Sequence, residues 1–257
     1  MRSPRFRGEI QGPWHFLKDE RTLIGAACME LESTPEATAN KLYDGLLQAL
    51  GTYHLLRIWN YIPQINKIGN SGMENYRSFC MGRSHQFTRH HLPMCSASAV
   101  GVSGSAIVIY FLATREPVRH FENPDQVPAY QYPTRYGPRS PSFSRASTVE
   151  RDGKSAIYIS GTASIKGHES LHIGNLDLQL ATTLDNIAIM KNRTGANSTG
   201  GNPLLDQSCI YLRDARNLQT FQSLLGKHRI EDPDLRILHA DICRADLLVE
   251  IETQQPL

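Results

Sequence analysis

Apolar residues at Ala39, Leu42, Tyr43, Leu46, Leu47 and Leu50 recur at steps of three and four, the spacing that lines one side of a helix. Thr34 before Pro35 and Glu36 supplies an N-cap, a proline suited to the first helical position and a first-turn acid, and Gly51 closes the segment. The aromatic and branched run Tyr53 to Tyr61 then predicts a strand, Met73 to Phe87 a helix, and Ala97 to Ala113 strand with a glycine-rich break. In the second half, Ala156 to Ser160 reads as strand. Leu180, Leu184 and Ile187 mark a helix over Leu176 to Lys191, and Cys209 to Arg213 is a short strand. A helix over Asn217 to His228 follows, and two strands, Ile237 to Ile242 and Leu247 to Glu252, close the chain. Each half thus runs helix, strand, helix, strand pair, which predicts an internal duplication and an α+β fold with helices packed on one face of mixed sheets.

Three parts follow from this pattern: a first unit over residues 1–114, a connecting segment over 115–153, and a second unit over 154–257. The connecting segment holds six of the 14 prolines, so it is extended rather than helical. Tyr130, Tyr132, Tyr136, Arg135 and Arg139 crowd into it, and those residue types suit the wall of a pocket for an anionic ring compound as well as they suit a linker. The Gly/Asn/Ser-rich stretch Asn192 to Asp206 reads as a mobile surface connection.

Composition removes several classes of function. The formal net charge of +2 over 257 residues is too small for the electrostatic footprint of a dedicated nucleic-acid binder. The longest apolar run, Ala106 to Ala113, is far short of the about 20 residues a membrane helix needs, and no secretory leader is evident, so a cytoplasmic location is expected. The five cysteines lack any CxxC pair, and His85, His90 and His91 with Cys80 and Cys95 match no ligand spacing, so no metal is expected. Phosphate-loop, dinucleotide and nucleophile-elbow patterns are absent as well.

The last strand is one place where chemistry could sit. Alternation places Leu247, Val249 and Ile251 on a core face and Leu248, Glu250 and Glu252 on the other. From pattern alone Glu250 is either a solvated edge acid or a partly desolvated carboxyl whose raised pKa suits a general acid, and the solvated reading is the commoner one.

Several motifs occur together: Trp59-Asn60-Tyr61, Tyr76-Arg77-Ser78-Phe79 leading to Gly82-Arg83, Glu122-Asn123-Pro124, Tyr132-Pro133 through Tyr136-Gly137-Pro138-Arg139, Gly167-His168, and Leu247 to Glu252. They resemble the chorismatase family, over about Phe16 to Glu252. The resemblance implies two units similar to the RidA/YjgF (chorismate mutase-like) fold, and cleavage of chorismate into pyruvate and a ring acid with no cofactor. It implies that Glu250 is the catalytic carboxyl, that Arg83, Tyr136 and Arg139 hold the substrate carboxylates and ring, and that Tyr76 belongs to the same binding set. Gly161 and Cys243 resemble the branch that forms 3-hydroxybenzoate, where they shape the room around the ring; simple packing of small residues is the competing reading. The expected partner is therefore a small molecule, chorismate, for a protein that is a monomer or homo-oligomer. Chorismate hydrolysis to a dihydroxycyclohexadiene carboxylate, imine deamination and ligand binding without catalysis are the rival functions. The first unit looks shorter than is usual in the family, as if it lacked leading strands.

Overall fold

The computed structural model describes residues 6–196, 202–230 and 234–257. The first half forms β1 (Arg7–Gln11), β2 (Trp14–Lys18), β3 (Thr22–Glu30), α1 (Pro35–Leu50), β4 (His54–Pro63), α2 (Asn75–Arg89), β5 (Ser96–Val102) and β6 (Ala106–Thr114). The second half forms β7 (Val118–Phe121), β8 (Ala146–Arg151), β9 (Lys154–Ala163), the short pair β10 (Ile165–Lys166) and β11 (Glu169–Ser170), α3 (Leu176–Thr194), β12 (Gln207–Leu212), α4 (Leu218–Lys227), β13 (Arg236–His239) and β14 (Val249–Gln255).

These strands build two six-stranded sheets, ordered β1-β2-β3-β6-β4-β5 and β13-β12-β14-β9-β8-β7. Taken from the leading strand, the second order is β7-β8-β9-β14-β12-β13, which repeats the first strand for strand. Among the described residues, the parallel pair in each sheet is the equivalent one, β4 with β5 and β12 with β13. The duplication is therefore visible as shared topology, and the α+β class with helices on one face of mixed sheets holds.

Local chemistry explains the helices. Thr34 Oγ1 accepts from the Ala37 amide at the start of α1, and Asn175 Oδ1 does the same for Leu178 in α3. α1 and α2 approach so closely that a Cβ on Gly82 would stand 2.2 Å from the Glu36 carbonyl oxygen. Each helix pair covers one face of its sheet, giving one apolar core around Leu42, Ile58 and Phe111 and another around Ile187, Ile210 and Ile251.

The helix-free faces of the two sheets pack against each other. A register shift between Leu55 and Arg57 in β4 turns Leu56 and Arg57 toward the second sheet, where Leu56 joins Val149, Ala156 and Tyr158. Hydrogen bonds cross the seam from the Ser96 amide to Ser147 Oγ and from the Ala97 amide to Ser160 Oγ, both 2.8 Å.

Three findings depart from the sequence reading. Leading strands β1, β2 and β3 are present in the first sheet; β1 is exposed throughout and β3 is built largely of small residues, so the sequence marks these two weakly. The segment 115–153 is more than a connector, since it contributes β7 and β8 to the second sheet. The stretch Asn192 to Asp206 lies partly outside the described residues, at 197–201; its far end is held by Lys191 Nζ, which donates to the carbonyls of Asn202, Pro203 and Leu204, and Leu204 and Leu205 are buried.

Candidate active site

The alternation of β14 is as the sequence dictates, but its second face is not solvated. Val249 and Ile251 enter the core of the second unit, while Glu250 and Glu252 point into the seam between the sheets, where Glu250 is only 3% exposed. Burial, and then the negative charge of Glu252, push the Glu250 carboxyl up to about 8, against the opposing pull of Arg57, Arg213 and Arg145. A carboxyl in that state carries its proton at neutral pH. Glu252 is held by three donors, with Arg57 Nη2 at 2.8 Å, Ser98 Oγ at 2.6 Å and Trp59 Nε1 at 3.1 Å.

Glu250 sits at the wall of a cavity of about 560 Å³ that opens between the units. Cys243 and Gly161 line it beside the carboxyl. The Cys243 Sγ lies 4.0 Å from Glu250 Oε2, and burial raises its thiol pKa, so the sulfur presents itself as a neutral S–H. Gly161 leaves the space the carboxyl occupies: a Cβ there would stand 2.1 Å from Glu250 Oε1. Tyr76 and Tyr136 also line the cavity, with Tyr132 and Phe143 extending the aromatic wall.

Two of the expected binding residues are elsewhere. Arg83 is buried in the core of the first unit, its guanidinium over the rings of Tyr43 at 5.3 Å and Phe87 at 5.4 Å, because the inner face of α2 turns toward α1. Arg139 is exposed beyond the second of two short 3-10 turns, Ala129–Gln131 and Thr134–Tyr136, and does not line the cavity. α2 presents Tyr76 and Arg77 to the cavity instead, and the turn-bearing segment Tyr132, Arg135 and Tyr136.

Arg145 and Arg244 line the cavity as well. Arg145, 6% exposed at the start of β8, donates from Nη2 to Tyr132 Oη at 2.7 Å and to the Val127 carbonyl at 3.3 Å. The Arg244 guanidinium stands over the Tyr136 ring, 4.2 Å from its centroid, and its Nη1 donates to the His168 carbonyl at 2.9 Å. Among the described residues, Arg145 Nε and Arg244 Nη2, like Nε and Nη2 of Arg83, have no hydrogen-bond partner. The acid nearest Arg145 is Glu122, 3.9 Å away, whose carboxyl is itself raised to about 7 by burial and therefore offsets the cation only in part. Sequence reasoning missed both arginines. Arg244 adjoins Cys243, which was a usable signal, whereas Arg145 follows the tyrosine-proline run with nothing local to mark it.

An acid that keeps its proton stands with several arginines and an aromatic wall around one cavity, an arrangement that can protonate an anionic ring compound. Comparison with known proteins agrees. Residues 3–113 match the family described as "Chorismatase FkbO/Hyg5-like, N-terminal". A 3-hydroxybenzoate synthase of Streptomyces hygroscopicus is 38% identical over 220 residues, covering 80% of this chain and 65% of that protein. A chorismatase of Streptomyces rapamycinicus is 35% identical over 247 residues, covering 90% of this chain and 73% of its own length. A chorismatase crystal structure superposes over 98% of this chain and 79% of its own, with 30% identity and a TM-score of 0.90. The chain belongs to the chorismatase family, and it spans about two thirds of the length of the first of these relatives.

Proposed function

We propose that this protein cleaves chorismate into pyruvate and 3-hydroxybenzoate. The observation that carries the reading is Glu250, a buried carboxyl raised to about 8 at the wall of a cavity that also presents Cys243, Gly161, Arg145 and Arg244. Chorismate is a dianion with an enol ether, so its cleavage calls for cations at two carboxylates and a proton at the enolpyruvyl methylene. Arg145 and Arg244 supply the first, and the protonated Glu250 the second. Protonation of the methylene makes the ether carbon oxocarbenium-like and the ring C–O bond labile. The substrate's own neighbouring ring hydroxyl then displaces that oxygen, its O–H proton passing to the Glu250 carboxylate as pyruvate departs; the three-membered ether so formed opens at its bond to the original hydroxyl carbon, its oxygen takes up a proton, and loss of the ring proton from that carbon completes the aromatic acid. The aromatic wall of Tyr132, Tyr136 and Phe143 excludes the external water that would otherwise yield a dihydrodiol.

Support for the 3-hydroxybenzoate outcome comes from the residues at the carboxyl. The Cys243 thiol fills the space next to Glu250 Oε2, and the absence of a side chain at position 161 lets Glu250 Oε1 sit where it does. The test is incubation of purified protein with chorismate, with pyruvate measured by a coupled dehydrogenase and the ring product by chromatography. Pyruvate and 3-hydroxybenzoate in equal amounts are expected. No pyruvate at micromolar enzyme overturns the reading, and turnover of 2-aminoacrylate in its place selects an imine deaminase.

A further inference from the structure

Cys243 and Arg244 lie in the stretch between the end of β13 at His239 and the start of β14 at Val249, outside both strands. Something other than the sheet ladder must fix them, because a loop position left to itself would not hold a thiol and a guanidinium on one cavity wall. The near end is tied by the Gly101 amide, which donates to the Asp241 carbonyl at 2.7 Å. The far end is tied by buried Gln179, whose Nε2 donates to the Asp246 carbonyl at 2.9 Å and whose Oε1 accepts from the Leu248 amide at 2.7 Å.

Between these ties stands Arg213, the residue after β12. Its Nη2 donates to the carbonyls of Ile242 at 2.9 Å and Arg244 at 2.7 Å, which bracket Cys243. Its Nε donates to the Leu247 carbonyl at 2.6 Å, and its Nη1 to Asp241 Oδ1 at 2.7 Å and Asn66 Oδ1 at 3.0 Å. All five contacts use the fork of one guanidinium, and the Asn66 bond reaches into the first unit. Arg213 does not line the cavity.

We propose that Arg213 is a positioning residue that sets Cys243 and Arg244 together, so that ring-product outcome and substrate capture depend on one guanidinium that touches neither substrate nor acid. The proposal rests on the chorismate-cleaving reading above. A lysine keeps the positive charge but offers no planar fork and cannot bracket two carbonyls while also meeting a third and two side-chain oxygens.

The experiment compares wild type with Arg213→Lys, using chorismate and the full chain. Wild-type pyruvate release checks the underlying reading by itself, so its failure is distinguishable from failure of this proposal. For folded Arg213→Lys, the KM for chorismate should rise by about tenfold or more while kcat for pyruvate release changes by less than about threefold. The share of 3-hydroxybenzoate in the ring product should fall at the same time. Alkylation of Cys243 by iodoacetamide, read on its own peptide by mass spectrometry, should quicken, a measure that does not depend on turnover. Unchanged KM, product share and alkylation rate in the folded variant overturn the proposal. If Arg213→Lys does not fold, Asn66→Ala, which removes one of the five bonds, is read in its place; the same shifts on a smaller scale support the proposal and their absence overturns it.

Discussion

Glu250 is an ordinary residue in an extraordinary setting: a strand carboxyl with Val249 and Ile251 in the core behind it and the other sheet in front. Because its acid form is the working one, kcat should fall as pH rises through about 8, the region to which burial lifts the group, and stay flat below it. Glu250→Gln keeps the shape and removes the proton, so kcat should drop by roughly 10²–10⁴-fold while 3-hydroxybenzoate still binds. Steady-state kinetics across pH and product titration check both. At the same scale, the arginines that line the cavity can be told from those that do not. Arg244→Ala and Arg145→Ala should each lower kcat/KM by roughly tenfold or more, whereas Arg139→Ala, at an exposed position away from the cavity, should leave it within about twofold. A large loss from Arg139→Ala alone would return that residue to the site.

At the level of elements, the two helices of the first unit show how much a single small residue decides. A Cβ at position 82 would meet the Glu36 carbonyl oxygen at 2.2 Å and the Asn40 amide nitrogen at 2.9 Å, both backbone atoms that cannot swing aside. Gly82→Ala should gain about 1 kcal/mol of helix propensity yet lose more to the forced separation of α1 and α2, for a net destabilisation on the order of 2 kcal/mol. The urea midpoint measures it, and an unchanged or higher midpoint would show that the helices separate freely. The elements themselves were mostly legible. α1 is visible from its cap and its three-four spacing, and α3 and β14 from theirs, because each buries one continuous stripe. β1 to β3 were not, since β1 is exposed throughout and the exposed positions of β3 are occupied by small or apolar residues that blur the alternation. β7 and β8 were hidden for another reason: they flank the proline-rich stretch, whose local signal dominated theirs.

For the whole molecule, the decisive feature is the seam between the two sheets. It holds a charged pair, Arg57 with Glu252, whose side chains are 2% and 14% exposed. Glu252 sits two residues from Glu250 on the same strand face, and its negative charge helps to keep Glu250 protonated. Glu252→Gln removes that charge and leaves Arg57, Arg145 and Arg213 to pull Glu250 toward its ionised form. The pKa of Glu250 then falls, so the loss of kcat should begin at lower pH than in wild type. The same substitution leaves a buried cation without its counter-charge and should cost stability on the order of 3 kcal/mol. A pH–rate profile and a denaturation curve on one preparation read both effects, and an alkaline limb that stays in place would remove Glu252 from the tuning of the acid.

The sequence by itself determined the class of fold, the repeat of helix, strand, helix and strand pair, and the family, because these rest on periodicity and on motifs that are local in the chain. It also placed Glu250, Cys243 and Gly161, which sit in short stretches that carry their own signature. Whether Glu250 was a solvated edge acid or a buried one depended on what covers the helix-free face of β14, and that cover comes from β4 and β5, whose contacts with Glu252 span 195 and 154 residues of chain. The surroundings of the arginines depend on packing in the same way. Arg83 and Arg139 lie within recognisable motifs but face the core of the first unit and the solvent, while Arg145, just before β8, and Arg244, in the stretch before β14, meet at one cavity. Direction of a side chain along its own element is encoded locally; what stands in front of it is fixed only when the two sheets pack.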